Sequence, residues 1–98
     1  MATSEDGTDC TAARQRLDQI RENRRNQSPD AVRRTAEALG YTLDPKRGKG
    51  SHQWMRKRGY PPFTIPQRNP MAVGTLTNIL RTLEKVYDDV CQGKAQRG

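Results

Sequence analysis

From Val73 to Val90 the chain carries one continuous apolar stripe at helical spacing: Val73, Leu76, Ile79, Leu80, Leu83, Val86, Tyr87 and Val90. Such a stripe is one face of an amphipathic helix, and it has to be buried against something. Only 32% of the 98 residues are hydrophobic and 30% are charged. The core built on this stripe is therefore thin, and the length allows one small domain. The pattern predicts a last helix from about Gly74 to about Val90, capped by Gly74 or Thr75, with Leu80 and Leu83 buried.

Upstream, Ser28-Pro29-Asp30 is a strong helix start. Ser28 suits the N-cap, Pro29 the first helical position, and Asp30 the positive end of the helix dipole. Val32, Thr35, Ala36 and Leu39 follow at helical spacing, and Gly40 sits where a helix commonly ends with φ > 0. Tyr41-Thr42-Leu43 and Ser51 to Lys57 read as strands. Arg58-Gly59-Tyr60-Pro61-Pro62 reads as a loop, because paired prolines interrupt a ladder. Phe63-Thr64-Ile65 reads as a third short strand, ended by Pro66. Residues 11–26 form a helical extension in which Ala13, Leu17 and Ile20 make a narrow stripe. That stripe is compatible with packing on the domain, on a partner, or on neither. The acidic start, residues 1–10, reads as disordered. Residues 27–90 are the main domain, and 91–98 a flexible tail.

Consecutive strands joined by short connections favour an antiparallel meander. The expected fold is α+β in the order α-β-β-β-α: a three-stranded antiparallel sheet with two helices on one face, plus the extra N-terminal helix. This is the architecture of double-stranded-RNA-binding modules.

The net charge is +7, from 18 Lys and Arg against 11 Asp and Glu. The surplus favours an anionic partner, nucleic acid before an acidic protein or a membrane surface. The two cysteines, Cys10 and Cys91, form no C-x-x-C pair, and a single histidine offers no metal-ligand set. Two free thiols in a reducing cytoplasm are expected. The start lacks a signal-peptide pattern, and no apolar run nears the roughly 20 residues that span a bilayer. No membrane association and no cofactor are expected.

Chemistry concentrates between Gly48 and Arg58, which holds the only histidine, the only tryptophan and four cations. A glycine-rich turn feeding an extended run lets backbone N–H groups approach a phosphate. Histidine is the side chain whose ordinary pKa lies near physiological pH. Lys46, Arg47, Lys49, Arg56, Lys57 and Arg58 oppose only Asp44 between residues 44 and 60, a clustering that suits phosphate contact. Strand alternation places His52, Trp54 and Arg56 on one face. That creates a conflict, since Trp54 is expected in the core and a reactive histidine belongs on the open face.

The span from Val32 to Leu83 resembles the HicA family of toxin-antitoxin toxins. The matching features are Leu39-Gly40-Tyr41 ending a helix, a basic stretch, Gly50-Ser51-His52 opening a strand, Phe63-Thr64-Ile65-Pro66, and Gly74-Thr75-Leu76-Thr77-Asn78-Ile79-Leu80-Arg81. Their order and spacing carry the resemblance more than any one of them. It implies a small mRNA-cleaving toxin in which His52 is catalytic, supported by Gly50 and Ser51, and an antitoxin of the HicB type as partner. Two departures stand out. The acidic start and first helix are additions to the minimal family domain. Where the family often carries a second histidine, this chain has Gln67-Arg68, so a mechanism needing two histidines in one subunit does not apply.

Cleavage through the RNA's own 2′-OH requires a group to take that proton, charge stabilisation at phosphorus, and a proton for the leaving 5′ oxygen. His52 serves one transfer. Lys49, Arg47, Arg56 or Arg58 serves the phosphorus, and a lysine, Tyr60 or water serves the other transfer. Without paired carboxylates or a metal cage, a metal-independent endoribonuclease is the expected function. The alternatives are a non-catalytic RNA- or DNA-binding module of the same fold, and a domain whose basic face binds an acidic protein.

Overall fold

The structure is a computed structural model, and residues 7–44 and 52–93 are described. In chain order the elements are α1 (Cys10–Glu22), α2 (Pro29–Ala38), β1 (Thr42–Leu43), β2 (His52–Lys57), β3 (Tyr60–Pro66) and α3 (Val73–Cys91). The three strands form one antiparallel sheet in the order β1-β2-β3, the expected meander.

Local signals explain most boundaries. The Ser28 hydroxyl accepts from the Ala31 N–H at 3.1 Å, with Pro29 opening α2. Gly40 ends α2 at φ 91°, and the N–H groups of Gly40 and Tyr41 return to the carbonyls of Glu37 and Ala36. The β2–β3 connection is the pair Arg58-Gly59, with Gly59 at φ 88°.

Two boundaries differ from the sequence reading. Pro61 and Pro62 lie inside β3 rather than in a loop. β3 is an edge strand, and its register with β2 shifts between Met55 and Lys57, so neither proline has to donate to the ladder. The N-cap of α3 is Ala72, not Gly74 or Thr75, and no side chain caps it. The chain is anchored just before it: Met71 is buried and its N–H donates to the Gln27 carbonyl at 2.9 Å. The helix begins as soon as that anchor is passed.

Met55 and Ile65 of the sheet, Val32, Ala36 and Leu39 of α2 and its C-cap, and Leu76, Leu80 and Leu83 of α3 are buried in one cluster. Tyr41 joins it, packing edge-on against Phe63 with ring centroids 5.0 Å apart. Its hydroxyl is the one buried side-chain polar atom among the described residues without a hydrogen-bond partner. Burial pushes its pKa up to about 12, helped by Tyr60.

The first helix packs on the domain, settling what the sequence left open. Ala13, Leu17 and Ile20 are buried in the same cluster. Arg21 pairs with Glu84 at 3.2 Å, and the Arg14 guanidinium lies 4.8 Å from the Tyr87 ring centre. The Asp9 carboxylate caps the helix by accepting from the Ala12 N–H. Thr8 is buried and bridges to Leu39. Disorder over all of residues 1–10 is therefore corrected from Gly7 onward, where backbone pairing to α2 holds the chain; residues 1–6 lie outside the described residues.

The expectation of two free thiols is also corrected. Cys10, the first residue of α1, is disulfide-bonded to Cys91, the last residue of α3, across 81 positions of sequence. The packing of α1 along α3 brings their Cα atoms to 5.7 Å, within the range a disulfide requires. Cys91 is thus the end of a helix and not the start of a tail; residues 94–98 lie outside the described residues.

Candidate active site

Directly opposed residues in an antiparallel pair share a face. The register pairs His52 with Pro66, Trp54 with Thr64, and Arg56 with Thr42. These six form the face turned away from the helices. Met55 with Phe63, and Gln53 with Ile65, form the face that meets the core. His52 and Arg56 are exposed and Trp54 is half-buried. The conflict between Trp54 and His52 is resolved in an unexpected way: Trp54 is not a core residue but shares the open face with His52. Met55, its neighbour, takes the core position.

Strand geometry sets distances along this row. Alternate residues lie about 7 Å apart and His52 and Arg56 about 13 Å apart, at 3.3–3.4 Å rise per residue. At that spacing the two side chains do not meet one small anion together. Tyr60 pairs with Lys57 at the hairpin end, roughly 17 Å along the strand from His52. At that distance the Tyr60 hydroxyl and the His52 ring do not act on one small group together.

Beyond Trp54 the face opens into a groove of about 600 Å³ lined by Thr42, Trp54, Arg56, Arg58, Tyr60 and Pro62, among others. Arg56 meets the Asp44 carboxylate at 3.5 Å yet keeps 67% of its side chain exposed. An ion pair that open is worth little and leaves the guanidinium able to meet an anion. Arg58 is exposed at the turn. Lys57 is placed differently from its two neighbours. It is 8% exposed and lines the same groove, with its ammonium 5.8 Å from the centre of the Tyr60 ring. Lys46, Arg47, Lys49, Gly50 and Ser51 lie outside the described residues.

One cation was missed by the sequence reading. Because His52 pairs with Pro66, the chain leaving β3 passes the His52 end of the sheet, and Arg68 is exposed there. The signal was the register, which fixes which end of the hairpin the third strand exits. Residues 40–72 hold seven cations against the single carboxylate of Asp44, so they account for six of the net seven positive charges. Among the helices, by contrast, Arg14, Arg21, Arg33 and Arg34 are paired with carboxylates.

The model for the HicA toxin of bacterial toxin-antitoxin systems matches residues 30–84, from the first turn of α2 through the sheet into α3. That span is more than half the chain. The chain belongs to the HicA toxin family. No curated protein and no solved structure matches it. Membership assigns a toxin role and an antitoxin as partner within a toxin-antitoxin system. The match contains His52, Trp54, Arg56, Arg58 and Arg68 and leaves out α1, so the helix tied by the disulfide is an addition to the HicA domain. Among the described residues no group of three His, Cys, Asp or Glu side chains is placed to hold a metal ion, and no helix is long and apolar enough to cross a membrane.

Proposed function

We propose that this HicA-family chain is an endoribonuclease that cuts mRNA without a metal ion, with His52 as the general base or acid. The observation that carries this reading is the position of His52: exposed, at the start of β2, on the open face that holds the basic groove, inside the span matched by the family. The 2′-OH loses its proton, O2′ attacks phosphorus, and the P–O5′ bond breaks as the leaving oxygen is protonated. The products are a 2′,3′-cyclic phosphate and a 5′-hydroxyl. A positioned proton-transfer group is worth about 10²–10⁴-fold in such a step. Arg68 lies at the His52 end of the sheet to stabilise the phosphorus centre, and Arg56 and Arg58 hold phosphates farther along. Lys46, Arg47 and Lys49 belong to the same proposed grip through their place in the basic stretch before Gly50-Ser51-His52. Lys57 lines the same groove but is 8% exposed, so it contributes less to that grip. The antitoxin is of the HicB type and covers this face.

The test is incubation of purified protein with an mRNA fragment, in chelator, followed by analysis of the ends. Cleavage leaving 5′-hydroxyl ends is expected, with no cut where the 2′-OH is replaced by hydrogen. RNA that is retarded on a gel but stays intact would make the chain a binding module instead.

A further inference from the structure

We infer that Trp54 is a stacking platform for an unpaired base, so that the substrate is recognised as a single strand laid along β2. The inference rests on the RNA-cutting reading and deepens it. Trp54 occupies the middle of the open-face row, between His52 and Arg56, with Thr64 opposite it on β3. It is half-buried and lines the groove whose walls include Arg56 and Arg58.

An indole on the face of a sheet, flanked by cations, is the arrangement by which single-stranded nucleic acid is held. Bases stack on the aromatic ring while the backbone follows the positive charge. The row leaves about 7 Å from Trp54 to the residue on either side, so a base on the indole is the neighbour of the phosphodiester at His52. A base inside a duplex is already stacked and does not reach the ring without unstacking. A purely shape-reading, double-strand-binding surface gains nothing from an aromatic side chain at its centre. The charge favours nucleic acid as the occupant, since among the described residues of the sheet and its connections Arg56, Arg58 and Arg68 are exposed and Asp44 is the one carboxylate.

Trp54 is the only tryptophan, so its fluorescence reports on this one site. The experiment titrates the intact protein with a 2′-O-methyl octanucleotide, which cannot be cut through its own 2′ oxygen. The comparison ligands are the same strand with one abasic position after another, its duplex, and a poly-glutamate peptide. Quenching by the single strand is expected, reduced at one abasic position and weak for the duplex. Trp54→Leu should bind the single strand roughly 5- to 150-fold more weakly, the cost of one lost base stack, and Trp54→Phe should restore most of it. Single-strand binding that leaves the fluorescence unchanged would overturn the inference, as would equal quenching by the duplex. Quenching by poly-glutamate alone would overturn it in favour of a protein on this face. Cleavage without quenching removes this inference and leaves the nuclease reading; quenching without cleavage removes the nuclease reading and leaves the inference.

Discussion

Replacing both cysteines with serine should lower the unfolding free energy by about 4.5 kcal/mol. The figure follows from the 81 positions that the Cys10–Cys91 bond spans, through the loop entropy that the cross-link removes from the unfolded chain. It is an upper value, since native disulfides in small domains typically contribute about 2–5 kcal/mol. A domain of this size has a total stability of roughly 5–15 kcal/mol, so the effect is large. The fold itself should survive, because Ala13, Leu17 and Ile20 hold α1 on the core without the bond. Urea unfolding followed by circular dichroism measures it. With a slope of about 1.5 kcal/mol/M, the midpoint of Cys10→Ser/Cys91→Ser falls by about 3 M. The slope itself should steepen, because the open unfolded chain exposes more surface. Coincident urea curves for the bonded protein and the double variant would refute the reasoning. They would mean that the ends of the unfolded chain are held together by something else.

Arg56→Gln with Arg58→Gln should reduce the slope of log affinity against log salt for single-stranded RNA by about 1.4, about 0.7 for each lost phosphate contact; Lys57→Gln, at a largely buried ammonium, should change the slope less than either arginine, and filter binding at several salt concentrations distinguishes them. Leu80→Ala and Leu17→Ala should each cost about 2–5 kcal/mol in urea unfolding. Both residues are buried in the common core, so a negligible loss at Leu17 would mean α1 is not part of it. The unfolded chain releases the Tyr41 proton near pH 10, whereas the folded chain holds it to about 12. Stability should therefore be intact below pH 10 and fall above it by up to about 1.4 kcal/mol per pH unit. Tyr41→Phe should remove that slope and be neutral or stabilising at pH 7, since it deletes a buried hydroxyl without a partner.

The helices were legible because their signals are local. Ser28-Pro29-Asp30, Gly40 and the α3 stripe each state a boundary or a buried face within a few residues. Pro61-Pro62 misled because proline forbids only a donor, and whether a donor is needed depends on which strand is the edge. That is a property of the whole sheet. Trp54 misled in a similar way. Hydrophobicity sends tryptophan inward, but alternation ties it to His52 and Arg56, and the core already had Met55 for that turn of the pleat. Cys10 and Cys91 gave no local motif; only the antiparallel run of α1 along α3 brings the two ends of the chain together. Arg68 was invisible for the same reason, since its nearness to the His52 end depends on the β2–β3 register. Residues such as His52 and Arg56 were found from residue type and spacing, whereas their separation of about 13 Å, which divides their roles, needed the strand.

The central claim is that His52 moves a proton during RNA cleavage, and His52→Gln tests it most directly. Glutamine keeps a hydrogen-bonding side chain of similar size but has no titratable group. At the exposed start of β2 it should leave the urea midpoint and the binding of the 2′-O-methyl octanucleotide unchanged. Single-turnover cleavage of the unmodified strand should fall by about 10²–10⁴-fold. A folded His52→Gln protein that binds normally and cuts at the wild-type rate would contradict the account.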